Sequence, residues 1–377
     1  MTKKNLFIIL GTILAAVALG IYWRNFRGAN ILFRPVAERL PAQDSEEQKP
    51  SVNTTGIPLT LPDGFSISIF AENLPNVRVI KFDSLGNAWV SQPSQGTVSQ
   101  LEIKDGKVVS QAAVFRGLNN PHGLAFDPEN PATFYIAEET KISSTKVYSE
   151  DSLHKIADLP GGGGHFTRTL GFGPDKRLYV SIGSSCNVCE EKDNRRAKIF
   201  SMNPDGSDFK EYARGLRNSV FFTWKEGKMW ATEMGRDYLG DDLPPDEINI
   251  VEEGRDYGWP VCYGKNIPDD NADCSQKTGS AIDIPAHSAP LGLAFLDSDL
   301  LVAYHGSWNR STPTGYKIVR VKFDRAGNYQ SMEDFITGWL KDGKLYGRPV
   351  DIVSGPDGAL YVTDDKAGLI YRIAKLK

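Results

Sequence analysis

The stretch TLGFGPDKRLYVSIG, residues 169–183, holds two short β-rich runs around a turn built from Gly, Pro and Asp. Such a run–turn–run pattern is the signature of a tight hairpin. The pattern returns as VIKFDSLGNAWVSQ from Val79, GLAFDPENPATFYIAEE from Gly123 and FFTWKEGKMWATEMG from Phe221. It returns again as GLAFLDSDLLVAYHG from Gly292 and DIVSGPDGALYVTDD from Asp351. Each copy predicts two strands with alternating burial. Successive copies start roughly 45 to 70 residues apart, close to one four-stranded blade plus insertions. Six copies predict an all-β fold: a six-bladed β-propeller of four-stranded antiparallel blades. A propeller must close its ring or leave open sheet edges. LTLPDGFSISIF (59–70) is therefore expected to supply the outer strand of the last blade, beyond GLIYRI (368–373).

The rest of the composition agrees with one β-rich domain. The 377 residues include 36 Gly and 22 Pro, as many turns require. The net charge of −4 is small and no basic stripe is present, so a nucleic-acid partner is not expected. Lys3 and Lys4 precede an apolar run over 6–22, and Arg24 and Arg27 follow it. The run suits a transmembrane signal-anchor helix, with a cleaved signal peptide as the alternative. Residues 1–27 are read as this segment, 28–56 as a flexible polar linker, and 57–377 as the propeller. The propeller is expected to be extracytoplasmic, periplasmic or at the cell surface, and secreted if the segment is cleaved. Cys186, Cys189, Cys262 and Cys274 fit that placement as local disulfides closing short loops. A four-cysteine zinc site is the competing reading, although the second spacing suits it poorly. No histidine follows Cys189, so c-type haem attachment is excluded.

In a propeller, the loop leading into each innermost strand forms one mouth of the central channel. Counting back from the aromatic position of the repeat puts Asn119, Asn120, His165, Arg217, Asn218 and Arg348 in those loops. A base (His165) and a cation (Arg217) at equivalent positions suit redox chemistry, although such residues also merely solvate channels. His165 follows the glycines 161–164. His122 reads as a channel residue, and His154, His287 and His305 as surface or structural. The loop from Glu233 to Pro260 carries seven acidic residues between Asp237 and Glu253. Oxygen-rich irregular loops suit Ca²⁺, and a solvated acidic loop is the bland alternative.

Read in order, LPDGFSISIFAENLPN from Leu61, GGGGHFTRTLGFGPDKRLYVSIGSSCNVC ending at Cys189, GLRN from Gly215 and DEINIVEEGRDYGWP ending at Pro260 resemble the glucose/sorbosone dehydrogenase family. The likeness covers nearly all of 57–377, and the paired cysteines point to its L-sorbosone dehydrogenase-like branch. The resemblance implies a quinoprotein with pyrroloquinoline quinone (PQQ) and Ca²⁺, oxidising an aldose or related carbonyl sugar. It implies that His165 is the general base for hydride transfer to PQQ, and that electrons pass to an external acceptor. Arg217 and Asn218 match residues that hold the quinone oxygens. Asn87, Ser307, Trp308, Asn309 and Arg348 match other cofactor contacts. The carbonyls of Gly235 and Arg236, with Glu247 and the backbone of Tyr257, match Ca²⁺ positions.

The sequence departs from the family pattern at four places. Ser219-Val220-Phe221 follows Arg217-Asn218 where P-x-G is usual, and Arg236 replaces a proline. Arg348 stands alone where two arginines are usual, and HGSWNR supplies no lysine. These departures favour a second reading, a non-catalytic Ca²⁺-stabilised propeller that binds a sugar or a protein. A metal-dependent hydrolase is a third; His165 with Arg217 speaks against it, since that chemistry calls for acidic and amide ligands along the channel.

Overall fold

In three of the six hairpins the aspartate of the repeat turn serves both strands. Asp83 Oδ1 accepts the backbone N–H groups of Leu85 and Asn87 (both 2.9 Å), and Oδ2 accepts Trp89 Nε1 (2.8 Å) from the returning strand. Asp175 binds the N–H of Arg177 (3.2 Å) and the hydroxyl of Tyr179 (2.8 Å). Asp357 does the same with Ala359 (3.1 Å) and Tyr361 (3.2 Å). An Asp side chain that folds back onto its own backbone fixes a turn locally, before any tertiary contact exists.

The computed structural model describes residues 49–376 and the pair 15–16. Six antiparallel sheets built on these hairpins form the blades of the propeller. The first four blades run Ile80–Phe82 to Lys107–Phe115, Gly123–Phe126 to His154–Asp158, Leu170–Phe172 to Lys210–Arg214, and Phe222–Lys225 to Ile282–Ile284. The fifth runs Pro290–Leu296 to Tyr329–Ile336. The sixth takes Pro349–Ser354, Leu360–Asp364 and Leu369–Lys375 from the end of the chain and Phe65–Ala71 from its beginning, with Ser66 opposite Ala374. The expected ring closure is present. It rests on a buried cluster that includes Leu61, Ile67, Trp339, Tyr371 and Ile373.

Two expectations change. The second strand of a blade does not alternate: Leu178–Ile182 and Leu360–Asp364 are buried at every position. Neighbouring sheets cover both faces, as in any sheet packed on two sides. The linker is also shorter than 28–56, because Val52–Asn53 pairs in parallel with Phe65–Ala71 as a fifth strand of the closing sheet. Apart from the pair 15–16, the proposed anchor over 1–27 lies outside the described residues, and no described helix is long and apolar enough to cross a membrane.

Candidate active site

Alternation of strand direction gives the propeller two ends. The mouth collects loops that lead into each first strand and loops that join each second strand to the third. The opposite end collects the hairpin turns. His165 stands in the loop before Leu170–Phe172, a segment with no ladder of its own. Two arginines hold it instead. Arg168, fully buried, donates to the carbonyls of His165 (2.9 Å), Thr167 (2.7 Å) and Pro160 (2.6 Å), and Arg196 donates to Gly161 O (2.8 Å).

The imidazole has a defined tautomer. Nδ1 lies 2.9 Å from Ser184 O and 3.0 Å from Ser184 Oγ, whose own proton goes to Cys186 O (2.7 Å). A carbonyl only accepts, so Nδ1 carries the hydrogen and Nε2 carries the lone pair. Burial, reinforced by the charge of Arg217, lowers the His165 pKa to about 4. The ring is therefore neutral at neutral pH.

Arg217 and Asn218 follow Gly215, whose φ of +73° and contact with Asp256 and the backbone of Tyr257 and Gly258 leave no room for a side chain. Arg217 is buried, bonded through Nε to Asn187 O (3.0 Å) and through Nη2 to Asn187 Oδ1 (2.9 Å) and Asp237 Oδ2 (3.2 Å). Burial lowers its pKa, opposed chiefly by Asp237. Asn218 lies against His165: a Cβ on Gly183 would meet both Asn218 Oδ1 and His165 Cβ at 2.7 Å. The imidazole of one blade and the guanidinium of the next thus share one end of the molecule.

The acidic loop packs behind this pair. Gly235 N–H donates to Asp246 Oδ1 (2.8 Å), and Arg236 is paired with Asp269 rather than pointing at a metal position. Beneath them, a cavity of about 20 Å³ is lined by Glu233, Gly235, Glu247, Tyr257 and Arg217 among others. Glu233 Oε1 accepts Asn218 N–H (2.8 Å), while its Oε2 is buried without a partner. Glu247 is engaged by Asn249 (2.9 Å) and Gly264 (2.6 Å). Burial pushes Glu233 well above the ordinary carboxylate range, helped by Glu247, and pushes Asp246 and Glu247 to about 7.

The remaining candidates divide. Asn309 Nδ2 reaches Asp237 Oδ1 (2.7 Å), with its own Oδ1 buried and unpartnered. Ser307 is buried in the same loop, and Trp308 is 68 % exposed with Tyr238 at its edge. Arg348 donates to His305 O (2.9 Å) and Gly306 O (2.6 Å) and lies over the Tyr316 ring. These four belong to the mouth. Asn87 does not. It occupies the turn before Ala88–Gln92, at the opposite end, bonded to Tyr148 (2.8 Å). Two larger grooves, of about 390 and 410 Å³, also lie at that end and contain none of the candidates.

Both local disulfides are formed, Cys186–Cys189 and Cys262–Cys274, so the zinc reading is set aside. Among the described residues, Cys186, Cys189 and Glu191 form the one cluster with metal-like spacing, and the disulfide occupies its two sulfurs. His122 is completely buried in the channel, and His305 is paired with Asp365 (3.0 Å). Asn187, Asp237 and Glu233 are the important residues that sequence reading passed over. Of these, Glu233 and Asp237 carried a signal, as the first two acids of the acidic stretch, and Asn187 carried none.

A six-bladed ring with a neutral histidine, a buried arginine and a carboxylate-lined cavity at one mouth defines a class of propellers built around a polar end-site. The Glucose / Sorbosone dehydrogenase family profile matches residues 128–372, and the chain belongs to that family. An uncharacterized protein of Borreliella burgdorferi is 33% identical over 84% of this chain and 90% of its own length. The PQQ-dependent pyranose dehydrogenase of Coprinopsis cinerea is 24% identical over 84% of this chain, which spans 55% of that enzyme. The solved PQQ domain of Coprinopsis cinerea pyranose dehydrogenase superposes with a TM-score of 0.75 at 21% identity, covering 85% of this chain and 99% of that one. A Trichoderma reesei carbohydrate-active enzyme of family AA12 gives 0.76 at 23%, covering 86% and 99%.

Proposed function

We propose that the protein is a PQQ-dependent oxidoreductase acting on an aldose or related carbonyl sugar, with His165 as general base. The observation that carries this reading is the His165 tautomer: Ser184 takes the Nδ1 hydrogen and leaves the Nε2 lone pair beside a fixed cation. A planar quinone bearing carboxylates fits the residues present. Arg217 and Arg348 supply positive charge, Asn218 Oδ1 and Asn309 Oδ1 are buried without partners, and Trp308 offers an exposed ring. A divalent cation fits the neighbouring cavity, where Glu233 Oε2 is orphaned among carboxylates raised by burial. Bound PQQ would supply the two-electron acceptor, and Ca²⁺ the Lewis acid that polarises it.

The chain's own contributions follow from the geometry. His165 Nε2 takes the proton from the sugar hydroxyl at the carbon being oxidised. Arg217 and Asn218 would hold the cofactor's oxygens, where a preorganised donor is worth most as negative charge grows. Gly235 and Arg236 would offer carbonyls to Ca²⁺, with Glu247 and the Tyr257 backbone as a further position. An external acceptor then takes the electrons. We further place the propeller outside the cytoplasm, held to the membrane by residues 6–22, a reading supported by two disulfides.

Two tests address this reading. Purified protein supplied with PQQ and Ca²⁺ is expected to reduce an artificial dye in the presence of aldoses, with chelation by EDTA abolishing the signal. Saturable quinone binding without turnover on any sugar would transfer the assignment to the non-catalytic binding propeller. That alternative draws support from Arg217, already neutralised by Asp237. The second test is pH. A base must be unprotonated to work, and His165 protonates only near pH 4. With Ca²⁺ saturating, so that Glu247 stays ionised, the ratio kcat/KM is therefore expected to hold level from about pH 5 to 8 and to fall as pH drops through about 4. An acid limb centred near 6.5 would remove His165 from the role.

A further inference from the structure

The loop between Leu178–Ile182 and Lys198–Met202 has no strand pairing of its own, yet it touches both proposed reaction partners. Ser184 holds the His165 ring, and Ser184 Oγ is in turn bonded to Cys186 O. One residue further on, Asn187 turns every polar atom inward. Its carbonyl accepts Arg217 Nε (3.0 Å) and Trp259 Nε1 (3.3 Å). Its Oδ1 accepts Arg217 Nη2 (2.9 Å) and the Asp237 N–H (2.8 Å), and its Nδ2 donates to Asp237 O (3.2 Å). The amide thus grips the Arg217 guanidinium and the backbone of the acid that neutralises it. Nη1 is left with a single long contact, 3.4 Å to Met234 O.

Asn187 is held in place by a covalent ring. The Cys186–Cys189 disulfide encloses it with a single further residue, and Glu191 pins the preceding Ser185 through its N–H (2.6 Å) and hydroxyl (2.7 Å). Strand ladders fix the rest of the blade; here the disulfide and the carboxylate add to two backbone bonds, Ser184 N–H to Arg217 O (2.7 Å) and Gly164 N–H to Ser185 O (2.9 Å).

We propose that Asn187 is a positioning residue for Arg217, locked by the Cys186–Cys189 disulfide, so that this one loop sets the geometry of both the cation and His165. The proposal rests on the reading of His165 and Arg217 given above and assigns the role of the loop between them. A guanidinium displaced by about an ångström loses alignment with the oxygens it serves, and such displacements cost up to about 100-fold in rate. The Asn187 carbonyl survives any side-chain change. Substituting the side chain therefore removes half of the grip, and removing the disulfide loosens all of it.

The test uses two readouts, one of which needs no cofactor. In the cofactor-free protein, the His165 imidazole is followed by NMR as pH is lowered. The charges facing it are Arg217, Arg168 and Arg196. Asn187→Ala is expected to shift the His165 titration upward, because Arg217 is no longer held against it. Arg217→Gln is expected to do the same, and the double variant to add nothing further. Cys186→Ser with Cys189→Ser is expected to match or exceed Asn187→Ala. In the reconstituted protein, Asn187→Ala is expected to lower kcat about tenfold to hundredfold with little change in the sugar KM. Asn187→Asp, which keeps the acceptor for Arg217, is expected to recover part of that loss. An unchanged His165 titration in folded Asn187→Ala, or additive shifts in the double variant, overturns the proposal. If the wild-type chain shows the titration coupling but never turns over, the positioning role stands and the dehydrogenase reading falls.

Discussion

Replacing His165 by glutamine is expected to lower kcat by about 10²–10⁴-fold, the range spanned by general bases, while leaving the protein folded and its quinone binding intact. Glutamine is chosen because its amide can still donate to Ser184 O, preserving the anchoring bond made by Nδ1. What it lacks is a basic lone pair. With a pKa of about 4, His165 is a weak base in the resting site, depressed by burial and by Arg217. In the proposed mechanism, negative charge collecting beside Arg217 would offset its field and raise the basicity of Nε2. Base and cation are expected to act as a unit, and losses from removing both should be less than the product of the single losses. Measurement of kcat across aldoses, beside quinone titration and circular dichroism, decides the matter. Wild-type turnover in the glutamine variant would end the assignment of the base.

The second large effect concerns the ring rather than the site. Ile67→Asp is expected to prevent stable folding. Ile67 is 1% exposed on the strand that closes the sixth blade, in the cluster with Leu61, Trp339 and Tyr371. A carboxylate there loses the apolar contacts and enters the interior without a cation, at a cost of several kcal/mol against a total stability of about 5–15 kcal/mol. The strand also covers the edge of Leu369–Lys375, so its loss exposes unpaired backbone along the sixth blade. Ile69→Asp is the control: two residues along the same strand but 37% exposed, it should cost only about 1 kcal/mol, the span of strand propensity. Equal thermal midpoints for the two variants would show that the closing strand is not what holds the ring.

The blades were legible because their cause is local. An aspartate that caps its own turn and reaches an aromatic hydroxyl or indole on the return strand leaves the same few letters in the chain each time, as with Asp83, Asp175 and Asp357. His165 and Arg217 were legible because equivalent positions in a radial repeat reach the same end. The same counting showed nothing about Asn187 or Glu233, whose contacts join segments 30 and 15 residues apart outside the repeat positions. Asn87 was misplaced for a related reason: it belongs to a hairpin turn, and those turns face away from the mouth. Uniform burial of the second strands was hidden because polar members such as Ser181 and Thr363 are satisfied by neighbouring sheets, not by water.

The place where the chain enters the closing sheet carries a consequence for the proposed anchor. Lys49 is bonded to Gly64, just before the closing strand and beside the far end of Leu369–Lys375, so the tether leaves from the side opposite the mouth. Some two dozen polar and mixed residues separate that point from the apolar run ending at Tyr22. If the proposed anchor over 6–22 holds the chain, this exit point would turn the open mouth outward, toward whatever diffuses past, with the opposite end toward the lipid.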